Sequence, residues 1–96
     1  MFYVYILVSV EKNTKYIGFT SDLKARLQRH NEGQVLSTKA NRPWELLYYE
    51  AYRNSTLARK AELFYKTGQG RRQINRKLGL LKEEIDDNTI ESENNL

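Results

Sequence analysis

Five side chains able to do chemistry sit inside stretches that otherwise read as hydrophobic core: Tyr5, Tyr16, Arg26, His30 and Glu62. An arginine fork matches phosphate oxygens bidentately. A tyrosine ionises near pH ~10 and serves as a base only when a nearby cation lowers its pKa; Arg26, Lys15 and Lys24 are the cations within sequence reach. Each residue also has a plainer explanation. Tyr5 and Tyr16 suit cross-strand aromatic packing, Arg26 a guanidinium lying over a sheet, His30 a satisfied histidine at a packing edge, and Glu62 an ion pair with Lys66 one helical turn on. Their joint order and spacing favour one common site over five coincidences.

The elements that must hold them follow from periodicity. Phe2 to Val8 is aromatic and β-branched, short enough for a strand, and places Tyr3 and Tyr5 on one face with Phe2, Val4, Ile6 and Val8 on the other. Glu11 to Thr14 is turn material and Lys15 to Phe19 resumes the strand pattern, so residues 2–19 predict an antiparallel hairpin. Thr20, Ser21 and Asp22 offer N-cap oxygens for a helix running to about Glu32 and stopping at Gly33. On it, Leu23, Arg26, Leu27 and His30 share one stripe, with Arg26 and His30 bordering the apolar face. Residues 34–43 read as a polar, basic loop. Trp44 to Tyr52 predicts a third strand, apolar enough on both faces to suggest a covered, central position. Asn54 and Ser55 start a second helix with Leu57, Ala61, Phe64 and Tyr65 at helical spacing, ended by Gly68 and Gly70. Arg71 to about Leu81 is a third helix or a kinked continuation. The order β-β-α-β-α-α predicts an α+β fold, a small three-stranded, mainly antiparallel sheet flanked by helices.

Ninety-six residues allow one small domain, with no cysteine for disulfides or thiolate metal sites. The run Val4 to Val8 is too short to span a bilayer and lacks the features of a secretory signal, so the expectation is a soluble cytoplasmic protein without a membrane partner. Residues 1–81 hold fifteen of the sixteen Lys and Arg but six of the twelve Asp and Glu, a net +9; residues 82–96 carry the other six acids against Lys82, a net −5. This predicts a basic domain over 1–81 and an acidic, flexible tail over 82–96. A basic body attracts polyanions.

Tyr3-Val4-Tyr5, Tyr16-Ile17-Gly18, and the helix carrying Arg26 and His30-Asn31-Glu32-Gly33 together resemble the GIY-YIG nuclease family. Tyr3 stands where the first motif opens with glycine, while the second motif is intact. Arg42-Pro43-Trp44-Glu45-Leu46, with Glu62 and Lys66, resembles the small stand-alone branch, and the resemblance reaches to about residue 78. It implies an endonuclease that hydrolyses nucleic-acid phosphodiesters, DNA more than RNA, with one Mg²⁺ or Mn²⁺ and a possible place in DNA repair. Glu62 resembles the metal-ligand glutamate, Arg26 the arginine that steadies the scissile phosphate, and Tyr5 and Tyr16 the pair that positions or deprotonates water. His30 occupies a position where several members keep histidine, and Asn75 is a loose match to a site asparagine. One carboxylate leaves most ligand positions to water and substrate, which suits Mg²⁺.

Lys15, Lys24, Arg29, Lys39, Arg42, Lys66, Arg71, Arg72 and Arg76 are the nucleic-acid-binding candidates, acting on phosphates rather than in catalysis. Two further functions compete with the nuclease. One is a non-catalytic nucleic-acid-binding module using the same basic face, and the other an interaction protein that meets an acidic partner. With no appended recognition domain, the expectation is a nuclease whose specificity is low, directed by nucleic-acid structure or supplied by a protein partner. The acidic tail is a candidate competitor for the basic face.

Overall fold

The computed structural model describes residues 1–79, so the acidic segment 82–96 and the end of the expected third helix lie outside the described residues. Three strands, β1 (Phe2–Ser9), β2 (Lys15–Thr20) and β3 (Trp44–Tyr52), form an antiparallel sheet in the order β2-β1-β3. Helix α1 (Leu23–Asn31) and a 3-10 helix (Leu36–Asn41) lie between β2 and β3, and α2 (Ser55–Tyr65) and α3 (Gly68–Lys77) follow. The α+β order β-β-α-β-α-α is as the sequence predicts. Met1–Glu62 forms one compact unit, and a second begins at Leu63.

The hairpin forms where the alternation places it. Ser9 N–H donates to Thr14 O at 2.8 Å and Asn13 turns the chain with φ 55°. β1 is the central strand and its interior is buried on both faces, Val4 and Ile6 on one and Tyr5 and Leu7 on the other. Tyr5 and Leu7 join Trp44 in the core, with Tyr16, Leu23 and Leu27 packed against it. A fully buried aliphatic or aromatic side chain contributes roughly 1.5–3 kcal/mol of transfer free energy. On the opposite face Phe2 stacks on Phe19, and the Arg59 guanidinium of α2 sits 4.1 Å above the Phe19 ring.

The central position expected for β3 belongs to β1. β3 is an edge strand that pairs with β1 alone, and Tyr49 is 51% exposed, with Leu46 and Leu47 also exposed. Reading its tyrosines as apolar produced the error, because their hydroxyls keep polar company. Tyr48 and Tyr52, on the same face of the strand, donate to the Glu50 carboxylate at 2.6 and 2.5 Å. Burial and that carboxylate push the Tyr52 phenol up to about 12. The register also slips between Ile6 and Leu7, where Leu47 is left out of the pairing.

Asp22 caps α1, its Oδ1 accepting from Ala25 N–H at 3.1 Å, and Gly33 ends it at φ +79°. The expected loop 34–43 contains the 3-10 helix, followed by a cis Arg42-Pro43 bond. In α2, capped by Asn54, the buried stripe is Ala58, Glu62 and Tyr65; Leu57, expected on it, is 53% exposed. The small Ala58 defines the packed face without standing out in a hydrophobicity reading.

Gly68 and Gly70 open α3 instead of ending α2. The Thr67 hydroxyl caps the helix by accepting from Gly70 N–H at 3.0 Å. A Cβ on Gly70 would lie 1.9 Å from Phe64 O, so glycine at this position permits a close approach between backbones.

Candidate active site

β1 and β2 are paired so that Tyr5 faces Gly18. A Cβ on Gly18 would lie 2.4 Å from Cζ and Oη of Tyr5 and 2.9 Å from Cε2 of Tyr16. The missing side chain is the space into which the two phenols fit. α1 crosses this face and delivers Arg26 and His30, one turn apart, to the same place.

His30 does not border the packed face, as its stripe suggests, but is 0% exposed. Tyr5, 1% exposed, has its hydroxyl 2.8 Å from His30 Nε2, and His30 Nδ1 lies 2.7 Å from the Thr38 hydroxyl. Arg26 Nε–H donates to Tyr5 Oη at 3.4 Å. Tyr16 packs edge-on against the imidazole at 5.1 Å between ring centroids, and its ring also neighbours those of Tyr5 and Trp44. Four predicted residues from three elements therefore meet around one phenol.

The electrostatics follow from this packing. Burial raises the Tyr5 pKa, while the hydrogen bond from Arg26 opposes the rise and the nearby charges of Tyr16 and Glu62 add to it. Burial, reinforced by the positive charges of Arg26 and Arg29, lowers His30 to about 4. Hydrogen bonding to Tyr5 raises Arg26, with a smaller contribution from Tyr16. At neutral pH the group is a neutral phenol and a neutral imidazole beside one fixed cation.

Glu62 is buried on α2, and its charge adds to the rise of the Tyr5 pKa. One of its carboxylate oxygens is 3.5 Å from Arg59, which is largely exposed, so this pair is screened and contributes little to stability. Among the described residues no three His, Cys, Asp or Glu side chains gather. The donor that Glu62 offers is thus a single hard carboxylate. That donor fits a divalent ion of the Mg²⁺ type, which keeps several waters and takes further oxygens from a phosphate.

The phosphate-contact candidates are all exposed. Lys15, Lys24, Arg29, Lys39 and Arg42 lie on the first unit, and Lys66, Arg71, Arg72 and Arg76 on the second. Arg42 is already engaged, with Nε–H donating to Lys39 O at 2.9 Å and its guanidinium against Gly33. Asn75 lies half-buried on α3.

Sequence reasoning missed two residues here. Thr38, 0% exposed, had no signal, because it sits in a polar stretch that reads as loop. Asn31 accepts from Trp44 N–H at 2.6 Å and donates to Trp44 O at 3.0 Å, imitating a strand partner. The Trp44 indole in turn donates to Thr38 O at 2.9 Å. Asn31 lies in the His30-Asn31-Glu32-Gly33 run that resembles the family, and that run is its signal in the sequence.

A model of the GIY-YIG catalytic domain matches residues 1–75. The chain belongs to the GIY-YIG family. It is 43% identical over 68 residues, 68% of each chain, to a UPF0213 protein of Pediococcus acidilactici. It is 42% identical over 72 residues to a UPF0213 protein of Streptococcus pyogenes, covering 74% of this chain and 77% of that one. The fold is similar to the solution NMR structure of a UPF0213 protein from Bacillus halodurans, with a TM-score of 0.51 at 24% identity over 94% of this chain and 99% of that one. The GIY-YIG domain is that of a nuclease family. Where GIY-YIG chains open the first motif with glycine, Tyr3 packs edge-on against Tyr49 at 5.9 Å. Among the described residues, no helix is long and apolar enough to cross a membrane.

Proposed function

We propose that this GIY-YIG protein is a metal-dependent endonuclease of the cytoplasm, hydrolysing phosphodiester bonds of nucleic acid, DNA in preference to RNA, in DNA repair or processing. The convergence of Arg26, Tyr16 and His30 on the Tyr5 phenol, under the charge of Glu62, carries this reading. Structural arginines and tyrosines do not require a shared buried point with a neutral histidine.

In this reading Glu62 would hold a divalent ion, Mg²⁺ or Mn²⁺, which would supply charge neutralisation at the phosphate and leaving oxygen. Arg26 donates its Nε–H to Tyr5, and its remaining donors leave a fork for the phosphate oxygens. Tyr16, half-buried where Tyr5 is fully buried, orients the attacking water. The Tyr5 hydroxyl is held 2.8 Å from His30 Nε2, so the imidazole orients the phenol. Exposed lysines and arginines hold the polymer through its phosphates, and specificity comes from nucleic-acid structure or a protein partner.

The test is incubation of purified protein with supercoiled plasmid and with branched DNA, in Mg²⁺ or Mn²⁺ and then with EDTA. Cleavage is expected with metal alone, and Glu62→Gln and Arg26→Ala are expected to lose it while still binding DNA. Salt-sensitive binding without cleavage, unchanged by either substitution, would instead establish a binding module.

A further inference from the structure

Thr38 plays no part in the chemistry described above, yet it is a fully buried hydroxyl in hydrogen-bond contact with the one histidine of the chain. We propose that Thr38 is a positioning residue that fixes His30 as the Nδ1–H tautomer, so that the Nε2 lone pair faces the Tyr5 phenol. The inference rests on the nuclease reading for its consequence in catalysis, although the tautomer itself can be measured apart from any activity.

The proton inventory around the imidazole decides the assignment. Arg26 can only donate, so Tyr5 Oη accepts from Arg26 and its own proton needs another acceptor. His30 Nε2, at 2.8 Å, is that acceptor and must be unprotonated. The remaining ring proton then sits on Nδ1 and is donated to Thr38 Oγ1 at 2.7 Å. Thr38 in turn donates its hydroxyl proton to Val35 O at 3.3 Å. Every donor from Arg26 to the Val35 carbonyl thereby has an acceptor.

In the reverse arrangement Thr38 donates to Nδ1 and Nε2–H donates to Tyr5. The phenol proton of buried Tyr5 then loses the imidazole as its acceptor. A buried donor left without an acceptor bears its full desolvation penalty, which selects the first arrangement. The Thr38 backbone is itself fixed, because its carbonyl accepts from the Trp44 indole and its N–H donates to Val35 O at 3.1 Å. The hydroxyl is therefore aimed by the 3-10 turn and by β3, not by α1, which carries the histidine.

With one histidine, a ¹⁵N NMR spectrum of the labelled full chain at neutral pH reports this tautomer without ambiguity. The wild-type spectrum is expected to show Nδ1 protonated and Nε2 bare; the opposite pattern would overturn the proposal. Thr38→Val is expected to abolish the preference or reverse it, and Thr38→Ser to restore it. On the cleavage assay Thr38→Val should lower kcat roughly 10- to 100-fold with KM little changed, the range seen when a partner that orients a metal-ligating histidine is lost, and Thr38→Ser should recover most of it. If Thr38→Val does not fold, the wild-type and Thr38→Ser spectra still decide the assignment. A correct tautomer in a wild-type protein that cuts nothing would refute the nuclease reading and leave the tautomer assignment standing; metal-dependent cleavage with Nε2 protonated would do the reverse.

Discussion

Tyr5 lies over Gly18 so closely that a single added carbon on Gly18 would fall 2.4 Å from its Cζ and Oη. The second motif of the chain therefore shapes the position of the first motif's tyrosine by leaving a side chain out. Because Tyr16 is also within 2.9 Å of that missing carbon, one glycine sets both phenols.

Gly18→Ala is expected to displace both rings, and crowding in a packed interior costs about 1–3 kcal/mol. Thermal unfolding should show the loss of stability, and cleavage should fall well beyond what the unfolded fraction explains. A variant as stable and as active as the parent would mean that Tyr5 moves aside without consequence.

Tyr5→Phe keeps the ring and removes the hydroxyl that joins Arg26 to His30. His30 Nε2 is then a buried acceptor with its phenol partner gone, a loss of roughly 1–3 kcal/mol. Denaturant titration measures it, and an unchanged midpoint would show that the hydroxyl contributes nothing to the fold.

Acid should act through His30. Its pKa is about 4 folded against 6.5 for an unperturbed histidine, so between these values the unfolded chain binds the extra proton. Stability from this group is complete above pH 6.5 and is lost as pH falls toward 4, in all by about 3 kcal/mol. Urea unfolding at stepped pH, native chain against His30→Gln, isolates it, and parallel curves for the two would contradict the assignment.

Asn31→Ala removes two hydrogen bonds to the Trp44 backbone, each worth roughly 1 kcal/mol net, at the point where β3 begins. Beyond the lowered melting temperature, Trp44 fluorescence should shift as the indole loosens from Thr38 O. Retention of the native spectrum would show that β1 alone positions Trp44.

Much of the arrangement around Tyr5 was legible in the sequence because short-range rules govern it: strand alternation, an Asp22 cap and a Gly33 stop bring Tyr5, Tyr16, Arg26 and His30 to one face. What stayed hidden depends on contacts between segments far apart in the chain. Thr38 gains its meaning through a 3-10 turn and the Trp44 indole, neither of which has a periodic signature. The edge position of β3 was masked because tyrosine counts as apolar although its hydroxyl pairs with Glu50. Gly70 read as a breaker, whereas proximity to Phe64 O is what requires it.

β1 is flanked by hydrogen-bonded strands on both sides and covered on both faces, and Tyr5 stands at its middle. The amide of Tyr5 can therefore meet solvent only when the whole first unit opens, and it should exchange hydrogen at the rate of global unfolding. Fraying at a loop or a terminus cannot release this phenol by degrees. The cluster around Tyr5 therefore lasts as long as the fold itself.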